Sequence, residues 1–140
     1  MREILFRGRI SKNEWVYGLP IEGEPLMGRG KETCIVTKPG LSYYDGVLMT
    51  YDECVEVDPD TVGQFTGLTD RNSTKIFEGD IVHVKAHSGS FTGCVTYWLE
   101  EEPRFVCETK HGLHYAICAK FEFEVLGNIH DNPELLEVSE

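Results

Sequence analysis

Residues 81–125, IVHVKAHSGSFTGCVTYWLEEEPRFVCETKHGLHYAICAKFEFEV, alternate apolar and polar side chains with a period of two over most of their length. That period belongs to strands, whose successive side chains point to opposite faces. Ile81–Ala86 reads as a short strand ended by His87–Ser88–Gly89–Ser90. In 91–99, Phe91, Gly93, Val95, Tyr97 and Leu99 share one face, and Thr92, Cys94, Thr96 and Trp98 share the other. Glu100–Glu101–Glu102–Pro103 stops that strand, because proline lacks an N–H donor and three neighbouring carboxylates repel. Arg104–Thr109 and Leu113–Cys118 flank Lys110–His111–Gly112, a hairpin turn. Phe121, Phe123 and Val125 then alternate with Glu122 and Glu124. Five strands in succession with no intervening helix predict a meander that removes its edges by closing, a small SH3-like barrel.

Upstream the same period persists in shorter pieces. Ile4 and Phe6, the Lys12–Asn13 turn signal and Trp15–Val16–Tyr17 predict a hairpin within the first 18 residues. Residues 22–31, EGEPLMGRGK, hold three glycines and a proline and read as a loop. Strands are expected at Thr33–Thr37 and Val47–Tyr51, separated by Lys38–Pro39–Gly40 and a Tyr43–Tyr44–Asp45–Gly46 turn. Downstream, Asn132 as cap and Pro133 at the first helical position predict one helical turn over Glu134–Leu135–Leu136–Glu137. The expected architecture is mainly β: a small N-terminal β unit over 1–57, then an SH3-like barrel over 58–140 with a one-turn C-terminal helix.

Composition narrows the function. The 140 residues carry a net charge of −11. Residues 46–80 hold eight acids against two bases, and 121–140 hold six acids and no base. Affinity for a nucleic-acid backbone comes from Lys and Arg displacing counterions, so direct DNA or RNA binding is disfavoured. The fifteen aromatic residues could stack bases, but without a positive groove stacking is insufficient. The acidic stretches suit a basic protein partner. Five cysteines, an odd number with no C-x-x-C spacing, together with the absence of a signal-like or membrane-length apolar run, point to free thiols in a reducing cytoplasm.

Residues 56–84, EVDPDTVGQFTGLTDRNSTKIFEGDIVHV, resemble the signature of the YopX family. So do the opening Met1-Arg2-Glu3-Ile4-Leu5-Phe6-Arg7-Gly8 with Glu14-Trp15-Val16-Tyr17-Gly18, and the closing Gly127-Asn128-Ile129-His130-Asp131-Asn132-Pro133-Glu134-Leu135-Leu136. The resemblance covers the chain end to end. It implies a bacteriophage or prophage origin and an SH3-type barrel in the C-terminal part. It implies no biochemical activity, because the family is one of unknown function. Ser73 stands where the family usually has glycine; a turn needing positive φ there would fall on Ser73 or Asn72, of which asparagine bears that conformation better.

The same string supplies the candidate binding residues: Thr61, Gln64, Thr66, Asp70, Glu78 and Asp80, polar groups set among glycines. One reading is structural: Asp58–Pro59 starts a turn, Gly63 and Gly67 permit tight bends, and Thr61 and Asp80 bond nearby backbone. The other is that Gln64, Thr66 and Asp80 line a groove that grips a partner. Trp98, opposite the apolar face of its strand, is the aromatic expected to be exposed.

Other chemistry is weaker. Cys107, His111, His114 and Cys118 are four soft ligands within one hairpin, but their spacing matches known zinc patterns poorly. Asp70-x-Asn72 begins like a calcium loop, yet Ile81 stands where the twelfth-position glutamate belongs. Asp58, Asp60 and Glu100–Glu102 read as solvated turns rather than acid–base pairs. No G-x-S-x-G, phosphate-binding glycine loop or H-E-x-x-H is present. The expectation is a binding protein, whose partner is itself or a host factor, with no catalytic role, cofactor or metal. A nucleic-acid-binding module is the alternative, and a small enzyme or metal protein is the third reading.

Overall fold

The computed structural model describes residues 3–24, 30–38, 40–50, 53–87, 89–98, 103–118 and 120–137, with backbone alone at 49–50. Among them there are thirteen strands in three antiparallel sheets, no α-helix and one 3-10 turn. Two compact units result, Ile4–Gly63 and Gln64–Glu140, the latter joined by Met1–Glu3.

The first unit is built on β1 (Phe6–Ser11), β2 (Glu14–Gly23), β3 (Glu32–Lys38), β6 (Glu53–Glu56) and the first half of β7 (Asp58–Thr69), in the order β6-β3-β2-β1-β7. The expected first hairpin is there, with Arg9 opposite Trp15 and Asn13 at φ 61° in the turn. Asparagine tolerates that left-handed conformation better than most residues. Ile35 and Val57 form the buried apolar centre, and Val57 N–H donates to Thr33 O at 3.0 Å. A second hairpin, β4 (Leu41–Tyr44) and β5 (Val47–Thr50), stands as a separate two-stranded sheet. Here the expectation is corrected: Tyr43 and Tyr44 are strand residues, and the turn is Asp45–Gly46 alone, at φ 51° and 76°. Asp-Gly is favoured in this two-residue turn because both positions need positive φ, which matches the twist of the flanking strands.

The second unit holds the last part of β7, paired with β8 (Lys75–Phe77), and the meander read from 81–125. Its strands are β9 (Asp80–Ala86), β10 (Gly89–Trp98), β11 (Arg104–Thr109), β12 (His114–Ala116) and β13 (Glu122–Asn128). Ser88, Leu99 and Glu100–Glu102 lie outside the described residues. The sheet order is β12-β11-β10-β9-β13, so the fifth strand returns beside the first. Val82, Val84, Val95, Cys107 and Phe123 pack with Ile76 into one core, as alternation along each strand requires.

No closed barrel forms among the described residues; β12 and β13 are the two edges of an open sheet. The reason lies in β12, whose three residues are too few to carry the far edge round to β13. The predicted C-terminal turn is present as a 3-10 helix, Pro133–Glu137. Asn132 caps it through its carbonyl, which accepts the Leu135 N–H at 3.1 Å. The Asn132 side chain does something else: its Oδ1 accepts the Asn128 N–H at 3.3 Å.

Candidate functional site

The string 58–69, expected to begin with a turn, is a single twelve-residue strand. Asp58–Pro59 lies within it, and the Asp58 side chain accepts the Asp60 N–H at 3.1 Å, a local bond of the kind that aspartate makes at turns. Gly67 falls in an irregularity of register between Phe65 and Thr69, so the strand bends where its partner is the short β8.

Three of the seven candidates are consumed by the fold. Thr61 is 3% exposed; its hydroxyl donates to Asp58 O at 2.6 Å and accepts the Arg9 N–H at 2.9 Å. Asp80 is 2% exposed and accepts the Phe77 N–H at 2.7 Å, which locks the turn between β8 and β9. Asp70 is buried, and its carboxylate accepts three backbone N–H groups: Asn72 at 2.8 Å and Thr74 at 2.9 Å on Oδ1, and Val125 at 2.9 Å on Oδ2. Burial pushes its pKa up, but the N–H groups of Val125, Thr74 and Asn72 and the Thr74 hydroxyl outweigh it, so the group titrates below its ordinary value. Asp80 is thus buried and engaged with backbone rather than set at the surface. The left-handed residue of the Asp70 turn is Ser73, at φ 65°, and not Asn72.

Gln64, Thr66 and Glu78 come together. With Tyr97, Arg104 and Ile117 they border an open groove of about 490 Å³. β7 supplies Gln64 and Thr66, the turn before β9 supplies Glu78, and β10 and β11 supply Tyr97 and Arg104. Glu78 is held by two bonds to Gln64: its Oε1 accepts the Gln64 N–H at 3.3 Å, and its own N–H donates to Gln64 O at 2.9 Å. Thr66 is anchored too, its hydroxyl donating to Ile76 O at 2.9 Å. Gln64 and Arg104 border the groove with an amide and a guanidinium. Tyr97 is 42% exposed and meets Phe105 edge-on at 5.1 Å. The groove thus combines one cation, one anion, an amide and two aromatic rings.

Trp98 stands elsewhere. It is half-buried against His114, with ring centroids 4.0 Å apart. Tyr97, from the face assigned to the core, is the more exposed neighbour. Alternation gave the faces of β10 but not that the sheet's apolar face opens to solvent at this end. Arg104, Ala116 and Ile117, which also border the groove, were read in the sequence only as parts of the hairpin strands 104–109 and 113–118.

The Cys107–Cys118 hairpin does not gather its four soft side chains. Cys107 is fully buried in the core, while His114 lies opposite Glu108 and approaches its carboxylate at 3.7 Å. Among the described residues no three His, Cys, Asp or Glu side chains are placed to share a metal ion. A second hollow of about 590 Å³ lies beside Asp70, Arg71 and Phe121, but Asp70 is committed to backbone donors and Arg71 to Glu124 at 3.7 Å. No described helix is long and apolar enough to cross a membrane.

Comparison with known proteins bears on the family rather than on the groove. No curated protein matches the chain. Among solved structures, the crystal structure of protein EF1440 from Enterococcus faecalis is similar with a TM-score of 0.63 at 23% identity, covering 97% of this chain and 99% of that one. At that identity the likeness is one of fold. The family model described as YopX protein matches residues 6–137, nearly the whole sequence, and the chain therefore belongs to the YopX family.

Proposed function

We propose that this YopX-family chain is a phage- or prophage-encoded accessory protein of the host cytoplasm that acts by binding a protein rather than by catalysis. In this reading the groove bordered by Gln64, Thr66, Glu78, Tyr97 and Arg104 receives an extended segment of the partner. The observation that carries it is the pairing, in one open groove, of an anchored carboxylate with the amide of Gln64 and the guanidinium of Arg104. A further support is β12, an edge strand three residues long, followed directly by the groove residue Ile117. Edge strands accept extended peptides by main-chain pairing, while flanking pockets choose the side chains. We read the order β13-β9-β10-β11-β12 as an SH3-type meander left open, and the opening is what makes that edge available.

A catalytic reading lacks comparable support. The buried carboxylates Asp70 and Asp80 accept backbone N–H groups, and Asp131 accepts the Asn128 side-chain amide at 3.1 Å. Groups so engaged serve the fold.

The test is recovery of partners from host extract on tagged protein, with and without nuclease, comparing wild type with a Tyr97→Ser, Arg104→Glu variant. A protein retained by wild type and lost by the variant is the expected result. Equal recovery on both would remove the groove from the proposal. Recovery that disappears with nuclease would favour a nucleic-acid-binding module instead, whose affinity should fall steeply with salt.

A further inference from the structure

The two edges of the five-stranded sheet differ. Along β13 the Asp70 turn occupies outer main-chain groups: Arg71 N–H donates to Phe123 O at 3.0 Å, and Asp70 Oδ2 accepts the Val125 N–H at 2.9 Å. Along β12, Ile117 N–H donates to Phe105 O at 3.1 Å, and Leu113 O accepts the Thr109 N–H at 2.9 Å. In an antiparallel ladder, residues bonded to the neighbouring strand alternate with residues whose groups point outward. Tyr115, opposite Cys107, is therefore turned inward. His114 and Ala116, opposite Glu108 and Val106, turn their N–H and C=O away from β11. No described strand pairs with that side. β12 also holds no proline, lysine or bulge, the devices that commonly guard an exposed edge. Side chains line up beside it. Tyr97 lies opposite Phe105, and Phe105 opposite Ile117, one row across the sheet that borders the groove. The next position in that row belongs to whatever strand pairs with β12.

We infer that the groove's ligand is an extended segment of a basic protein, added antiparallel to β12 through the main-chain groups of His114 and Ala116. An aromatic or β-branched side chain of that segment lies beside Ile117, and basic residues flank it. This rests on the groove reading above and adds to it a pairing register and a sequence pattern for the ligand. Two paired residues supply few main-chain bonds, so side chains must supply the rest. On the groove face, an apolar residue extends the row Tyr97–Phe105–Ile117, as favourable cross-strand pairs do. The residues on either side of it turn to the opposite face, beside His114 and Ala116, where polar side chains are suited. Charge selects the flanks: a chain of net charge −11 repels an acidic segment and draws in a basic one.

The probes are labelled peptides Lys-Thr-X-Thr-Lys-Thr-Lys, with X as Val, Phe, Ser or Glu, titrated with the full chain by fluorescence anisotropy. The Val and Phe peptides should bind saturably below about 1 mM, and the Ser and Glu peptides at least about tenfold more weakly. Bound Val peptide should slow hydrogen exchange at amides 114 and 116. Ala116→Pro removes an outward N–H and no bond to β11, and should weaken the Val peptide at least about tenfold. Should that variant fail to fold, a Val peptide N-methylated at its last two threonines replaces it, with the same loss expected on wild type. Equal binding of the Val and Glu peptides overturns the pattern. Undiminished binding by Ala116→Pro or by the methylated peptide overturns the pairing; the groove reading survives that result where Tyr97→Ser, Arg104→Glu still abolishes binding. Failure of every peptide overturns the inference, and the groove reading then stands or falls on the extract test alone. Exchange at 114 and 116 that slows with protein concentration and no peptide would place a second copy's β12 there, which also overturns it.

Discussion

Asp70 and Val125 are 55 positions apart, and the Asp70 Oδ2 accepts the Val125 N–H at 2.9 Å. The other oxygen of the same carboxylate closes its own turn through Asn72 and Thr74. One side chain therefore fixes a local turn and pins it to the last strand of the second unit. Asp70→Ala should lower stability by about 3 kcal/mol, since three buried donors lose their acceptor, as measured by urea unfolding. The pH dependence follows from the lowered pKa. The unfolded chain binds the proton at higher pH than the folded chain, so stability rises with pH across the interval between the two values. This contribution should be fully present above the ordinary value of 3.8 and vanish as pH falls through the lower folded-state value. Asp70→Asn should flatten that part of the profile.

Ser73 holds φ 65° in the same turn, with its N–H donating to Asp70 O at 3.0 Å. An L-residue is strained there, and glycine relieves the strain while adding some unfolded-state entropy. Ser73→Gly should raise stability by about 0.5–1 kcal/mol, and Ser73→Asn by less. Thermal unfolding of the two variants checks the order.

Gly93 sits between Val82 and Thr109 in the middle of β10. A Cβ there would come within 2.5 Å of Cys107 Sγ and 2.7 Å of Glu108 O. The core cannot absorb it without moving backbone, so Gly93→Ala should cost about 1–3 kcal/mol. Denaturant titration with an unchanged m-value is the expected signature.

Groove residues separate by whether the fold uses them. Thr66→Val removes the bond to Ile76 O and should cost about 1 kcal/mol. Gln64→Ala and Arg104→Ala should leave stability within about 0.5 kcal/mol. A large loss in either would show that its side chain serves folding rather than a ligand.

Cys34 lies on β3 diagonally across from Cys54 on β6. Burial raises its thiol pKa, and Cys54, Glu56 and Glu32 raise it further. Less thiolate at neutral pH means slower alkylation. Peptide mapping after a short iodoacetamide pulse at pH 8 should find Cys34 modified more slowly than an unperturbed thiol.

Much of the fold could be read directly. Ile81–Ala86, read as a strand, lies within β9, Val95 on the apolar face read for 91–99 is a core residue, and the turns at Lys12–Asn13 and Lys110–Gly112 fall where their residues said. The Leu41–Tyr44 strand was missed because two tyrosines beside Asp-Gly look like turn in isolation. Closure of the barrel was over-read: a meander motivates closure, but the length of β12 decides it.

The sequence by itself determined that this is a β protein with tight turns, because the two-residue side-chain period and the positive-φ needs of Asn13, Asp45 and Gly46 are local properties of the backbone. Its similarity to a long family string also sufficed to identify the YopX family. Only the tertiary structure divided that string by role. Asp70 and Asp80 are buried under backbone donors, while Gln64 and Glu78 meet Tyr97 and Arg104 at an open groove. The reason is physical: a polar residue's role depends on which distant strand arrives beside it, and strand arrival is set by register and packing across the sheet, which no local pattern encodes.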